Sequence, residues 1–190
     1  MKKLIVLVYV FISSNVFSQN MFMEVDFKNS ILQQASNTRK ADSIRITQDI
    51  LTNTRLIDSL NQLIVDEINR IRKQHDLPIV QRIKSKDAAC QIYAKQMLGD
   101  NAIGHYSDNP DAIWEICYSG VSTELMLKNL KSEAIRQVNA WMNSPGHRSV
   151  ILGANFDSNF TKIAIGQQWQ LVNEITPSPV IIGRAVVRFF

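Results

Sequence analysis

The stretch Ala140-Trp141-Met142-Asn143-Ser144-Pro145-Gly146-His147-Arg148-Ser149-Val150-Ile151-Leu152 separates two kinds of pattern in this 190-residue chain. Ahead of it, apolar residues recur at helical spacing. Ala134, Ile135, Val138, Trp141 and Met142 share one face of a helix expected over about Ser132–Met142. Pro145-Gly146 then breaks the chain and leaves His147 in loop-like sequence. Beyond it the pattern turns to strands, expected at Lys162–Gly166, Trp169–Glu174 and Val180–Phe190. Pro177-Ser178-Pro179 supplies the turn between the last two. Helices first and strands late imply an α+β layered domain, not a parallel sheet built from βαβ units.

Two more helices are legible toward the N-terminus. Over Arg55–Asp76, Leu56, Leu60, Leu63, Ile64, Ile68 and Ile71 fall on one face, and Asp66 stands four residues before Arg70 in the favourable order for a surface pair. Pro78 is the stop. A helix over about Ser85–Leu98 has Ser85 as its cap, Asp87 in its positive first turn, and Ala89, Ile92, Tyr93 and Met97 as its buried stripe, with Gly99 ending it. Residues 19–54 are polar and mixed, without Gly or Pro, and read as an N-terminal extension carrying one helix at most.

Charge and composition narrow the function classes. The chain holds 21 Lys plus Arg against 17 Asp plus Glu, a net charge of +4. Residues 1–18, however, read as a secretory leader: Met1-Lys2-Lys3, an apolar run from Leu4 to Ile12, then Val16-Phe17-Ser18 before Gln19. That run is far short of the ~20 apolar residues that span a bilayer. Cleavage there removes Lys2 and Lys3 and leaves a net charge of +2. A nucleic-acid partner is therefore not expected, and Lys/Arg do not cluster on one face. No further apolar run reaches spanning length, so the mature chain is expected to be exported, periplasmic or secreted, without a transmembrane segment. The two cysteines are too few for a disulfide scaffold or a four-Cys zinc site.

The chemistry-bearing residues are few. His75 sits at the end of a helix, where a structural role suffices. His105 and His147 lie in loop-like sequence, and nothing local to either fixes a metal site. Glu115 lies in the apolar run Ile113-Trp114-Glu115-Ile116-Cys117-Tyr118; it either faces water from a strand or finds a cation, a metal or several donors.

The ordered set of pieces from Leu60 to Gly166 resembles the CAP superfamily (cysteine-rich secretory proteins, antigen 5 and pathogenesis-related proteins), in its short bacterial form. The pieces are Leu63-Ile64-Val65-Asp66-Glu67-Ile68-Asn69-Arg70-Ile71-Arg72 with His75-Asp76-Leu77-Pro78, then Ala88-Ala89-Cys90-Gln91-Ile92-Tyr93-Ala94-Lys95-Gln96-Met97, then His105, Glu115 and the stretch quoted first, and last Asn159-Phe160-Thr161-Lys162-Ile163-Ala164-Ile165-Gly166. The resemblance implies a three-layer α-β-α sandwich with a central antiparallel sheet over residues 55–190. It also implies a cleft lined by two His and two acids. His105, Glu115 and His147 take three of those places, as metal ligands and as the candidates for any catalytic role. The fourth falls on Ser144, and the usual Gly-Glu-Asn is here Trp114-Glu115-Ile116.

Two imidazoles and a carboxylate suit Zn²⁺ with an open position for water; the alternative is a hydrogen-bonded cluster without metal. Tyr106, Trp114 and Ser144 are expected at the cleft. Cys90 and Cys117 are expected to pair, closing a loop of about 28 residues, with two buried thiols as the alternative. The resulting expectation is an exported binding module whose cleft takes a divalent metal, small ligand or peptide, with the extension contacting a protein partner. The rival is a metal-assisted hydrolase acting on peptide or cell-envelope material.

Overall fold

The computed structural model describes residues 29–46, 48–49, 51–105, 112–123, 128–153, 160–173 and 180–190. The chain divides into two units, Met1–Ser43 and Ile44–Phe190. The described part of the first is helical, within α1, residues 29–46. Its Thr38 hydroxyl donates to the Gln34 carbonyl one turn earlier, at 3.0 Å. Ile31 and Leu32 on it are exposed.

The second unit has helical residues at 44–46, 48–49 and 51–52, followed by α2, Thr54–Gln74. Asn53 caps it: the side-chain oxygen accepts from the N–H groups of Arg55 (3.1 Å) and Leu56 (3.3 Å). Leu60, Ile64, Ile68 and Ile71 are buried along one stripe, as their spacing implies. The helix stops before Pro78 can act, with Asp76 in a left-handed conformation at φ 56°. The expected Asp66–Arg70 pair is replaced by two others. Arg70 grips Glu67 with two bonds at 2.7–2.8 Å, and Asp66 accepts from Gln62.

A short strand, β1 (Gln81–Arg82), leads into α3, Lys84–Gly99. Its N-cap is Ile83, not Ser85, which lies inside the helix without capping it. Its buried stripe is Cys90, Tyr93, Ala94, Met97 and Leu98; Ala89 and Ile92 are not part of it. Then come β2 (Trp114–Thr123), α4 (Leu130–Asn143), α5 (Pro145–Leu152), β3 (Lys162–Asn173) and β4 (Val180–Phe189). Two features differ from the sequence reading. Pro145-Gly146 opens a helix instead of a loop: Pro145 sits in the first turn, where its missing N–H is no loss, and Gly153 closes the helix at φ 64°. The strand pieces on either side of Gln167-Gln168 are one continuous β3. The expected turn at 177–179 lies outside the described residues.

The sheet order is β1-β3-β4-β2. β2, β4 and β3 are antiparallel neighbours, so the expected antiparallel sheet holds for the three long strands. The two-residue β1 adds a parallel edge to β3. Two cores lie on opposite faces. One joins Ile64 and Ile68 of α2, Val138 and Trp141 of α4 and Ile151 of α5 to Ile116, Ile163, Ile165, Val187 and Phe189 of the sheet. The other joins Cys90, Tyr93, Ala94 and Met97 of α3 to Cys117, Ala164 and Val186. This is an α-β-α sandwich.

The first core also contains a buried polar chain. Gln167 donates to Asn61 at 2.8 Å; Gln137 donates to Gln167 and to Glu133, each at 3.0 Å; Asn61 donates to the Ile165 carbonyl at 3.2 Å. It ties α2, α4 and β3 by directional bonds, where apolar contacts alone would allow sliding.

The second core is thin because sheet and helix approach closely at Gly166. A Cβ placed there would lie 2.0 Å from the Gln91 backbone nitrogen. Gly166→Ala should therefore destabilise the protein by at least the ~1–3 kcal/mol typical of overpacking, because the obstacle is backbone and cannot rotate away. Urea unfolding reads this directly, and an unchanged midpoint would contradict the close approach.

Candidate functional site

Alternation along β2 sends Ile116 and Tyr118 into one core and turns Glu115 and Cys117 toward the α3 side. A carboxylate on that face needs a partner, and the sheet supplies one. Arg188 stands opposite Glu115 in the β2–β4 register. Its Nε donates to Glu115 Oε2 at 2.7 Å, with both side chains under a tenth exposed. The guanidinium also lies 5.5 Å from the centre of the Tyr93 ring.

Glu115 Oε1 is thereby directed to the other side, where His105 Nδ1 lies 3.2 Å away. His105 is more than half exposed, so this end of the site is open to water. Its segment is fastened by α3: the Tyr93 hydroxyl donates to the Gly104 carbonyl. Cys117 Sγ completes the group, 3.7 Å from Glu115 Oε1, 3.9 Å from His105 Nδ1 and 3.6 Å from the Gly104 carbonyl. Below it, the indole N–H of Trp141 donates to the Cys117 carbonyl at 2.9 Å, so the buried Trp141 props the strand that carries the site. The donor atoms of His105, Glu115 and Cys117 all lie within 4.8 Å of one another.

His147 is the third residue of α5 and half-buried. Burial, and secondly the charge of His105, holds its imidazole below the usual histidine range, so it favours the neutral form. It stands outside the His105–Glu115–Cys117 group but within the electrostatic reach of His105. Ser144 is the junction of α4 and α5; its N–H donates to the Trp141 carbonyl at 3.0 Å and its carbonyl accepts from Arg148 at 2.9 Å. Trp114 is half-buried against the core on the α2 side. His75 caps the end of α2 and is exposed. Tyr106 lies outside the described residues.

The expected Cys90–Cys117 bridge is not formed in this structure, where both cysteines are free and buried, the alternative named above. Cys117 turns its sulfur to Gly104, Glu115 and His105, while Cys90 packs on α3. Burial pushes the Cys90 thiol up to about 12. Burial, followed by the charge of Glu115, also pushes Cys117 up. Both stay protonated at neutral pH and are poor nucleophiles.

Sequence reasoning named His105, Glu115 and His147 and put Cys117 beside them as half of a bridge, but missed Arg188, the contact of Tyr93 with the His105 segment and the direction of the Cys117 sulfur. Two signals were available. Glu115 and Cys117 are two apart on a strand, hence on one face. Arg188 is a cation inside the otherwise apolar run Ala185-Val186-Val187-Arg188-Phe189, which calls for a buried acid.

Two outcomes follow. Arg188→Met leaves the Glu115 carboxylate buried without its cation and should cost about 3–5 kcal/mol in chemical denaturation. Combined with Glu115→Gln it should cost far less than the sum, and additive losses would show that the pair is not coupled. Thiol titration without reductant should find neither cysteine reactive in the folded protein and both reactive in denaturant; none in denaturant would mean a bridge.

The geometry can be set beside known proteins. A search of curated proteins finds no match. Several solved structures are similar at low identity, among them the following three. An outer surface protein from Borrelia burgdorferi shares 16% identity over 69% of this chain and 92% of its own, with a TM-score of 0.40. An extracellular protein containing an SCP domain from Bacillus anthracis str. Ames shares 17% over 67% of this chain and 40% of its own, at 0.40. MpPR-1i shares 14% over 70% of this chain and 87% of its own, at 0.42. The sequence profile of the cysteine-rich secretory protein family, CAP, matches residues 65–165, more than half of the chain and the span that carries α3, His105, Glu115 and His147. This chain belongs to the CAP family.

Proposed function

We propose that this protein is an exported CAP-domain binding module whose cleft takes a divalent metal, or a small ligand in its place, at His105 and Glu115 with His147 alongside. The observation that carries the reading is the His105 Nδ1–Glu115 Oε1 approach of 3.2 Å, with Glu115 fixed from behind by Arg188. An imidazole and a carboxylate held this way are ready-made donors for zinc, and their rigidity lowers the cost of ordering them on binding. The leader pattern of residues 1–18 and the secretory character of the family support export. No described helix is long and apolar enough to cross a membrane. The polar extension, residues 19–54, is the part available to a protein partner.

Binding is favoured over hydrolysis by the engagement of the acid. Glu115 is the single carboxylate of the group, and both its oxygens are taken, one by Arg188 and one by His105. A metal-assisted hydrolase needs a Lewis acid and also a base positioned to take a proton from water. Ser144, where the family pattern places a second acid, cannot serve as that base.

Zinc at about 100 times its Kd should stabilise the folded chain by about 2.7 kcal/mol, which raises the melting temperature by roughly 5–10 °C for a chain of this size. The same concentration of magnesium should do little, because the donors are nitrogen-containing and few. His105→Ala should abolish the zinc shift. An equal shift in that variant would place the ion elsewhere, and peptide turnover that disappears in His147→Ala would favour the hydrolase instead.

A further inference from the structure

We propose that Cys117 is a ligand of the metal, which makes the cleft a thiolate-histidine-carboxylate site selective for thiophilic ions such as Zn²⁺ and Co²⁺. This rests on the metal reading above and deepens it: the third protein donor is a sulfur from β2.

The dimensions are the first support. A tetrahedral zinc with Zn–N and Zn–O of about 2.1 Å and Zn–S of about 2.3 Å has donor–donor edges of about 3.4 Å between N and O and about 3.6 Å from either to S. The observed edges are 3.2 Å between His105 Nδ1 and Glu115 Oε1, 3.9 Å between Cys117 Sγ and Nδ1, and 3.7 Å between Sγ and Oε1. The three atoms already form one face of a tetrahedron to within about 0.4 Å, without a change of fold.

Each donor also has its own support. Arg188 holds the far oxygen of Glu115, Tyr93 holds the carbonyl preceding His105, and Trp141 holds the carbonyl of Cys117. Such outer contacts are what orient ligands in built metal sites. The charge is workable: thiolate, carboxylate and the Arg188 guanidinium sum to −1, which a divalent ion reverses to +1 beside the water-exposed His105. The sulfur arrives as a thiol, its proton directed at Glu115 Oε1 and the Gly104 carbonyl. On binding, the S–H bond breaks, its electron pair forms the metal–sulfur bond, and the proton leaves to buffer, as coordination of a thiol requires. Sulfur ligation separates this site from one built of imidazole and carboxylate alone: it weights affinity toward zinc and cobalt and away from magnesium, calcium and manganese. The side opposite the tetrahedral face is left for water, a ligand or His147.

The test is a titration of the whole chain with Co²⁺, read by absorption. Wild type should develop an intense near-ultraviolet sulfur-to-cobalt charge-transfer band that zinc abolishes. The band should persist in Cys90→Ser and disappear in Cys117→Ser. Zinc affinity of Cys117→Ser should fall by more than the ~10–100-fold typical of losing an outer-shell partner. Should Cys117→Ser fail to fold, X-ray absorption of the zinc-loaded wild type decides: a sulfur shell at about 2.3 Å supports the site, and a shell of nitrogen and oxygen alone overturns it. Cobalt uptake without the band, or a band that survives Cys117→Ser, removes Cys117 while leaving the metal reading intact. No uptake of either ion removes the metal reading itself.

Discussion

A buried carboxylate on a sheet face is tolerable only with a partner of opposite charge, and the Glu115–Arg188 pair meets that requirement across two strands. Much depends on it. The pair pins the β2–β4 register, because a slip of one residue would turn Glu115 into the apolar core shared with α2 and move Arg188 away. It also fixes which carboxylate oxygen remains for His105 and Cys117. Glu115 and Cys117 sit on one strand, β2, at the edge of the sheet and paired to β4 along its length, which gives their side chains a defined spacing.

The two faces of the sheet divide the work. The α2, α4 and α5 face holds most of the apolar burial and the Asn61–Gln167–Gln137–Glu133 chain. The α3 face is thin, brought close by Gly166, and carries the chemistry. Trp141 links the two: it is buried in the first core, yet its indole N–H supports the strand segment bearing Cys117. A change in the larger core could thus reach the site through one hydrogen bond, without touching a ligand.

Most of this fold was legible from periodicity, and the misses have physical causes. In α2 the stripe is read largely correctly: Leu60, Ile64, Ile68 and Ile71 are buried, while Leu56 and Leu63 on its flank are half-buried and Val65 joins the core. In α3 the phase is misjudged, since Ile92 looks like core and is exposed, while the small residues Cys90 and Ala94 are buried where the sheet comes close. The short α5 is missed because Pro145-Gly146 serves equally well as a break or as a first turn, and sequence alone does not say which. For the site, family resemblance supplied His105, Glu115 and His147. The place of Cys117 required the pleat of β2, and that of Arg188 required the pairing of two strands far apart in sequence, the paired side chains being 73 positions apart.

Glu115 and Cys117 of β2 and the nearby His105 form one preformed triangle of candidate metal donors. Anomalous diffraction at the zinc edge, from crystals of the protein grown with Zn²⁺, tests it most directly. One strong peak is expected about 2.0–2.3 Å from His105 Nδ1, Glu115 Oε1 and Cys117 Sγ together. A peak held by His147 and His105 with Cys117 remote, or no peak in the cleft at all, would contradict it.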